Sequence, residues 1–172
     1  MADDATITLD ITMLPDDISK TLEDETFSYT PADSTEGWFY KLLAVTNAST
    51  DLIAKENFLQ KGSGVTGTDA GSILPTIHGD DKVKFLFVKH TGYAADGTTA
   101  NTADSIYLVF DAGIAAHGAV DAVEIGPGES WYAKFANLTV NSLHCICGQK
   151  ASGGVSSGKV QALVVAVIDD VT

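Results

Sequence analysis

The chain reads as an all-β protein, a single β-sandwich of jelly-roll type. It has about eight or nine antiparallel strands, long polar loops and an N-terminal strand arm. Three observations predict this class. Apolar residues recur at every second position in short runs, the period of a half-buried strand. Gly, Pro, Asn, Asp and Ser punctuate the runs at short intervals. No stretch carries a sustained helical period of apolar residues.

The N-terminal region alternates strictly from Thr6 to Met13, with Ile7, Leu9, Ile11 and Met13 on one face. Pro15 ends that strand, because proline cannot donate to a ladder. A short strand from Thr26 to Thr30 stops at Pro31. Residues 1–32 are read as this arm and the first strands, part of the same domain as the sandwich core at 33–172. Gly37 to Thr46 is aromatic and β-branched, a good strand, and Asn47 to Asp51 turns the chain. Leu52 to Leu59 fits neither the helical nor the strand period. Gly62 to Gly71 reads as a long loop, the kind of segment that often makes contacts.

The most regular part runs from Lys82 to Lys134. Val83 to His90 puts Val83, Phe85, Phe87 and Lys89 on one face and Lys84, Leu86, Val88 and His90 on the other. Both faces are largely apolar, which predicts a central strand. Tyr93 to Asp104 is a polar tip and Ser105 to Asp111 the next strand. Val120 to Gly126 leads into a turn in which Pro127 fixes φ and Gly128 supplies φ > 0. Trp131 to Phe135 runs back, and Leu138 to Cys147 and Lys159 to Val167 are the last strands.

Charge narrows the function. The formal net charge is −13, and all ten basic residues are lysines. Nucleic acid and anionic membrane surfaces are disfavoured partners, because a polyanion repels such a chain and no Arg fork is present. MADDATITLD has neither a basic nor an apolar leader region, so a soluble protein made in a cytoplasm is expected. Two cysteines two residues apart make no disulfide framework.

The motifs that carry chemistry lack their contexts. Gly62 to Gly67 matches G-x-G-x-x-G, but TDAGSILP after it cannot be the helix that would hold a pyrophosphate. Gly154 to Gly158 matches G-x-S-x-G, and Ser156 with Lys159 matches S-x-x-K, yet a strand follows where a helix is required. In a strand Cys145 and Cys147 share one face and His144 takes the other, so a reduced core pair is expected in place of a metal site. The doublets Asp16-Asp17, Asp80-Asp81 and Asp169-Asp170 lack EF-hand spacing, and His78 to Asp81 reads as a solvated turn. Trp38, Phe39, Tyr40, Trp131 and Tyr132 offer a carbohydrate platform, against the commoner use of strand aromatics in a core or interface. No catalytic residue, cofactor or metal is assigned.

VKFLFVKHTGYAADGTTANTADSIYLVFDAG, from Val83 to Gly113, resembles a stretch of small β-rich virion proteins of tailed bacteriophages, especially cyanophages and other marine phages. The shared features are a Phe-x-x-x-Lys-His-x-Gly strand end, a Gly/Thr/Ser loop and a second apolar strand. IGPGESWYAKFANLTVNSLHCI is similar to the segment that follows in them. The resemblance covers about half of the chain, leaving out the N-terminal third. It implies a non-enzymatic virion structural protein, foremost a capsid decoration (cement) protein. Such a protein would bind the major capsid protein or another virion protein and form a homo-oligomer, with a trimer favoured. A tail or neck component, or a carbohydrate- or receptor-binding module, is the alternative. The expected contact residues are Ile7, Leu9 and Ile11 in the arm, with Gly64 and Asp96 in loops, and the expected location is the virion after assembly in the host cytoplasm.

Overall fold

The computed structural model describes residues 5–9, 25–29, 36–53, 59–60, 77–111, 121–149 and 158–171. By contacts the chain divides into two units, Met1–Ser34 and Thr35–Thr172. In the first, β1 (Ala5–Leu9) and β2 (Glu25–Tyr29) form a two-stranded antiparallel sheet, with Ile7 opposite Phe27 and Leu9 opposite Glu25.

The second unit is a two-sheet sandwich organised around its last strand. That strand, β11 (Val160–Asp169), is the middle of a five-stranded sheet. It lies between β3 (Glu36–Val45) and β6 (Lys82–Ala94). The short β5 (Leu59–Gln60) flanks β3, and β9 (Ser130–Thr139) flanks β6. The second sheet runs β4 (Thr50–Asp51), β10 (His144–Gly148), β7 (Ser105–Val109), β8 (Val123–Ile125). All pairings are antiparallel. With β5 set aside, every connection from β3 to β11 changes sheet except β7 to β8. The orders β3-β11-β6-β9 and β4-β10-β7-β8 that result are those of a double-sheet jelly roll.

Alternation along β11 explains its central place. Val160, Ala162, Val164, Ala166 and Ile168 are buried and point to the other sheet. There they meet Ile106 and Leu108 of β7, Ile125 of β8 and Cys145 and Cys147 of β10 in one core cluster. Small alanines on β11 leave room for these larger partners. The opposite face of the second sheet is also closed at its centre, where Tyr107, Val109 and Ile146 form a smaller buried cluster.

Three local expectations change. In β6 the strict alternation breaks at a bulge between Val83 and Phe85. The extra residue flips the pleat, so Val83 joins Leu86 and Val88 in the core while Lys84 reaches Asp169 at 3.2 Å. The single strand read from Leu138 to Cys147 is two. A 3-10 turn at Val140–Ser142 separates β9 from β10, closed by Leu143 N–H on Val140 O and by the Thr139 and Ser142 hydroxyls. The ambiguous run after Asp51 starts by burying Leu52 and Ile53 in the core. The Pro127-Gly128 turn forms as expected, with Gly128 at φ 81°.

Candidate contact surface

Of the expected contact residues, Ile7 and Leu9 lie in β1, whose backbone is paired with β2 inside its own unit. Ile11 and Gly64 fall outside the described residues. Asp96 lies in the loop joining β6 to β7, at the end of the sandwich where the β3–β4, β8–β9 and β10–β11 connections also turn. Asp96 and the arm belong to different units.

The β6–β7 loop is a built structure. Tyr93 pairs with Ala100 in a β-bridge, and Ala94 N–H donates to Thr99 O at 2.8 Å. Asp96 accepts the amides of Thr98 and Thr99 on Oδ1 at 2.9 and 2.8 Å and the Thr99 hydroxyl on Oδ2 at 2.6 Å. The Thr99 hydroxyl and the two amides hold its carboxyl down to about 2. Gly97 adopts φ 71°, which lets the loop double back so closely that an added Cβ would sit 2.9 Å from Gln161 Nε2. Ala95 N–H ties the loop to Lys159 O at 3.0 Å, ahead of β11.

Underneath, Asp104 and His90 are fully buried. Asn101 donates its amide to Asp104 Oδ2 at 2.9 Å and accepts Asp104 N–H at 3.0 Å. His90 Nε2 lies 3.0 Å from Asp104 O, and Gly92 N–H donates to His90 Nδ1 at 3.0 Å. Burial lowers the His90 pKa, with the Asp104 carbonyl and carboxylate working the other way. The exposed tip therefore presents Tyr93, Asp96, Thr98 and Thr99 on a hydrogen-bonded base.

At the opposite end the structure corrects the reading of His78 to Asp81. Asp81 is 1% exposed, against the solvated turn expected. Its Oδ2 accepts His78 N–H at 2.7 Å and its Oδ1 accepts Val171 N–H at 3.3 Å, bolting the C-terminal end of β11 to the start of β6. Its own carbonyl accepts Val140 N–H at 3.0 Å. The fold thus joins two separate acidic doublets: ligand atoms of His78, Asp81 and Asp170 lie within 4.8 Å of one another. These three are the residues that could hold a cation among those described, although both Asp81 oxygens already serve backbone amides.

The other sequence candidates resolve individually. Cys145 and Cys147 are reduced thiols, buried and on the core face, while His144 takes the opposite face. Burial pushes the Cys145 thiol up to about 12, and Cys147 Sγ donates to Val45 O at 3.2 Å. His144 Nδ1 lies 3.1 Å from Asp51 Oδ1, an edge pair that sequence spacing does not reveal, because its members are on strands paired only in the fold. Among the described residues, His144 Nε2 has no hydrogen-bond partner. A strand, β11, follows Gly158 where a nucleophile elbow needs a helix.

The aromatic platform does not assemble as one surface. Trp131 packs against the core with Phe110 and Phe135, at ring-centroid distances of 5.2 and 6.3 Å. Tyr132, its neighbour, takes the other face of β9. On that outer face of the larger sheet, Tyr40, Val165, Phe87 and Tyr132 form one cross-strand row, and Leu42 beside it is 57% exposed. No family model matches the chain, no curated protein matches it, and no solved structure matches it.

Proposed function

We propose that this chain is a non-enzymatic structural protein of a bacteriophage virion, a decoration (cement) protein that binds the major capsid lattice as a homo-oligomer, with a trimer favoured. The observation that carries this reading is the strand order β3-β11-β6-β9 facing β4-β10-β7-β8. Double-sheet jelly rolls of this kind recur in viral capsid and lectin domains. The link from fold to role is one of analogy. The acidic, arginine-free composition suits a protein-facing surface better than a polyanion.

In this reading the stiff β6–β7 loop, with Asp96 at its tip, is one contact. The arm carrying Ile7, Leu9 and Ile11 is another, and the region of Gly64 a third. Because β2 occupies one edge of β1, sheet addition by a partner would use the other edge or the hairpin as a whole. Co-sedimentation of the purified chain with capsids lacking it tests the proposal. Saturable binding that is lost on deleting residues 1–14 is expected, and full binding by the deletion variant would remove the arm from the interface. Antibody-gold labelling of intact virions separates a capsid position from a tail or neck position.

The lectin-like alternative has one favourable feature, the exposed Tyr93 beside Asp96. Tyr93→Ala with unchanged capsid binding and lost binding across a glycan panel would favour it.

A further inference from the structure

His90 is the only fully buried histidine among the described residues, and both its ring nitrogens are committed to backbone groups on either side of the β6–β7 loop. The amide of Gly92 can only donate, so Nδ1 must carry a lone pair. Nε2 then carries the hydrogen and donates to the carbonyl of Asp104. The two contacts bracket the β6–β7 loop, since Gly92 lies in β6 two residues before its end at Ala94 and Asp104 directly precedes β7. Asn101 N–H also returns to Gly92 O at 2.8 Å, so the Gly92 peptide is held on both sides. An imidazolium has hydrogens on both nitrogens and cannot accept the Gly92 amide.

We infer that His90 is an acid-sensitive latch: gaining a solvent proton at Nδ1 turns that nitrogen from acceptor to donor, sets two N–H groups against each other and loosens the β6–β7 loop. The inference does not depend on what the loop touches.

The surroundings set its threshold. Asp104, fully buried, favours the imidazolium. Glu129, whose carbonyl accepts His90 N–H, turns its carboxylate to the Gly126 amide at 2.8 Å. From β11 the register partner is the uncharged Ala162, with Lys159 ahead of the strand bound through its carbonyl to Ala95. Lys89, next in β6, is exposed and points to the other face. Cys147 of the facing sheet spends its thiol on Val45 O and Gly158 O. Desolvation outweighs the help from Asp104 and lowers the pKa from 6.5, so the latch is closed at neutral pH. The sign follows: the neutral form is favoured by the folded loop, so its contribution is full above the ordinary histidine value and is lost as pH falls through the lowered one.

The test uses the full chain with 15N-labelled histidine, its four histidines assigned by substitution one at a time. Long-range 1H–15N spectra are recorded from about pH 7.5 to about pH 4.5, a range that spans histidine titration. Amide exchange, corrected for its intrinsic pH dependence, is followed in parallel. The Nε2–H tautomer of His90 is expected at the upper limit. Protection at Gly92 and Asn101 is expected to fall by up to about tenfold per pH unit between the ordinary histidine value and the lower His90 midpoint, the linkage of one proton, and to level off below that midpoint. Amides in the β3–β11 pairing should stay unchanged. His90→Gln should abolish the step; should that variant not fold, the wild-type titration decides alone. An Nδ1–H tautomer, unchanged loop protection as His90 titrates, or a step that persists in a folded His90→Gln protein would each overturn the inference.

Discussion

Asp81→Ala is the substitution that best separates the folded environment from the local sequence. Asp81 is 1% exposed and its two carboxylate oxygens accept backbone amides from His78 at 2.7 Å and from Val171 at 3.3 Å. Alanine leaves both amides without this acceptor. A hydrogen bond to a charged group contributes about 1.5–3 kcal/mol, and the longer contact is counted at about 0.5–1 kcal/mol. The expected loss is therefore about 2–4 kcal/mol, a large part of the roughly 5–15 kcal/mol that stabilises a typical domain. At about 2–4 °C per kcal/mol for a chain of this size, Tm should fall by about 5–15 °C. Asp81→Asn keeps one acceptor oxygen but turns an NH2 group toward the second amide, so its loss should be intermediate.

Urea unfolding followed by tryptophan fluorescence measures this, since Trp131 is packed against Phe110 and Phe135. The midpoint should move with the slope unchanged, the sign that the native state and not the unfolded ensemble has been affected. A loss below about 0.5 kcal/mol, the range of ordinary surface substitutions, would refute the buried-bolt account and restore the solvated turn.

Further outcomes follow from the same geometry. Asp96→Ala should speed exchange at the Thr98 and Thr99 amides while leaving remote strands untouched; in the parent protein the same amides should keep their protection above the usual carboxylate range and lose it only as pH falls toward about 2. Neither thiol should react with a neutral-pH thiol reagent in the folded chain, and both should react in denaturant, because Cys145 is held up at about 12 and both are buried. Gly97→Ala should cost about 1–2 kcal/mol in the same urea assay, since a left-handed backbone disfavours Cβ. A shift within experimental error there would show that the loop relaxes to a right-handed conformation.

Several features were legible before any tertiary structure because they are set by near neighbours. The period of two that predicts β11 depends only on alternating side-chain direction, and the Pro127-Gly128 turn depends only on the φ preferences of two residues. The opposite faces of Cys145 and His144 follow from the same alternation. The bulge after Val83 was not legible, because one added residue is defined only against the partner strands. The turn at Val140–Ser142 was hidden for a related reason, since apolar and β-branched neighbours kept the strand pattern running through it.

The sequence by itself thus determined the all-β class, most of the strands and the lack of context around each catalytic-looking motif. Tertiary structure alone decided which strands became neighbours: it set β11 between β3 and β6, brought Asp81 to Asp170 and Val171, and closed the β6–β7 loop over His90. The physical reason is range. Side-chain alternation and turn stereochemistry act within a few residues, whereas burial of a carboxylate or an imidazole depends on segments about a hundred residues apart or on a loop folding back, and no local pattern records either.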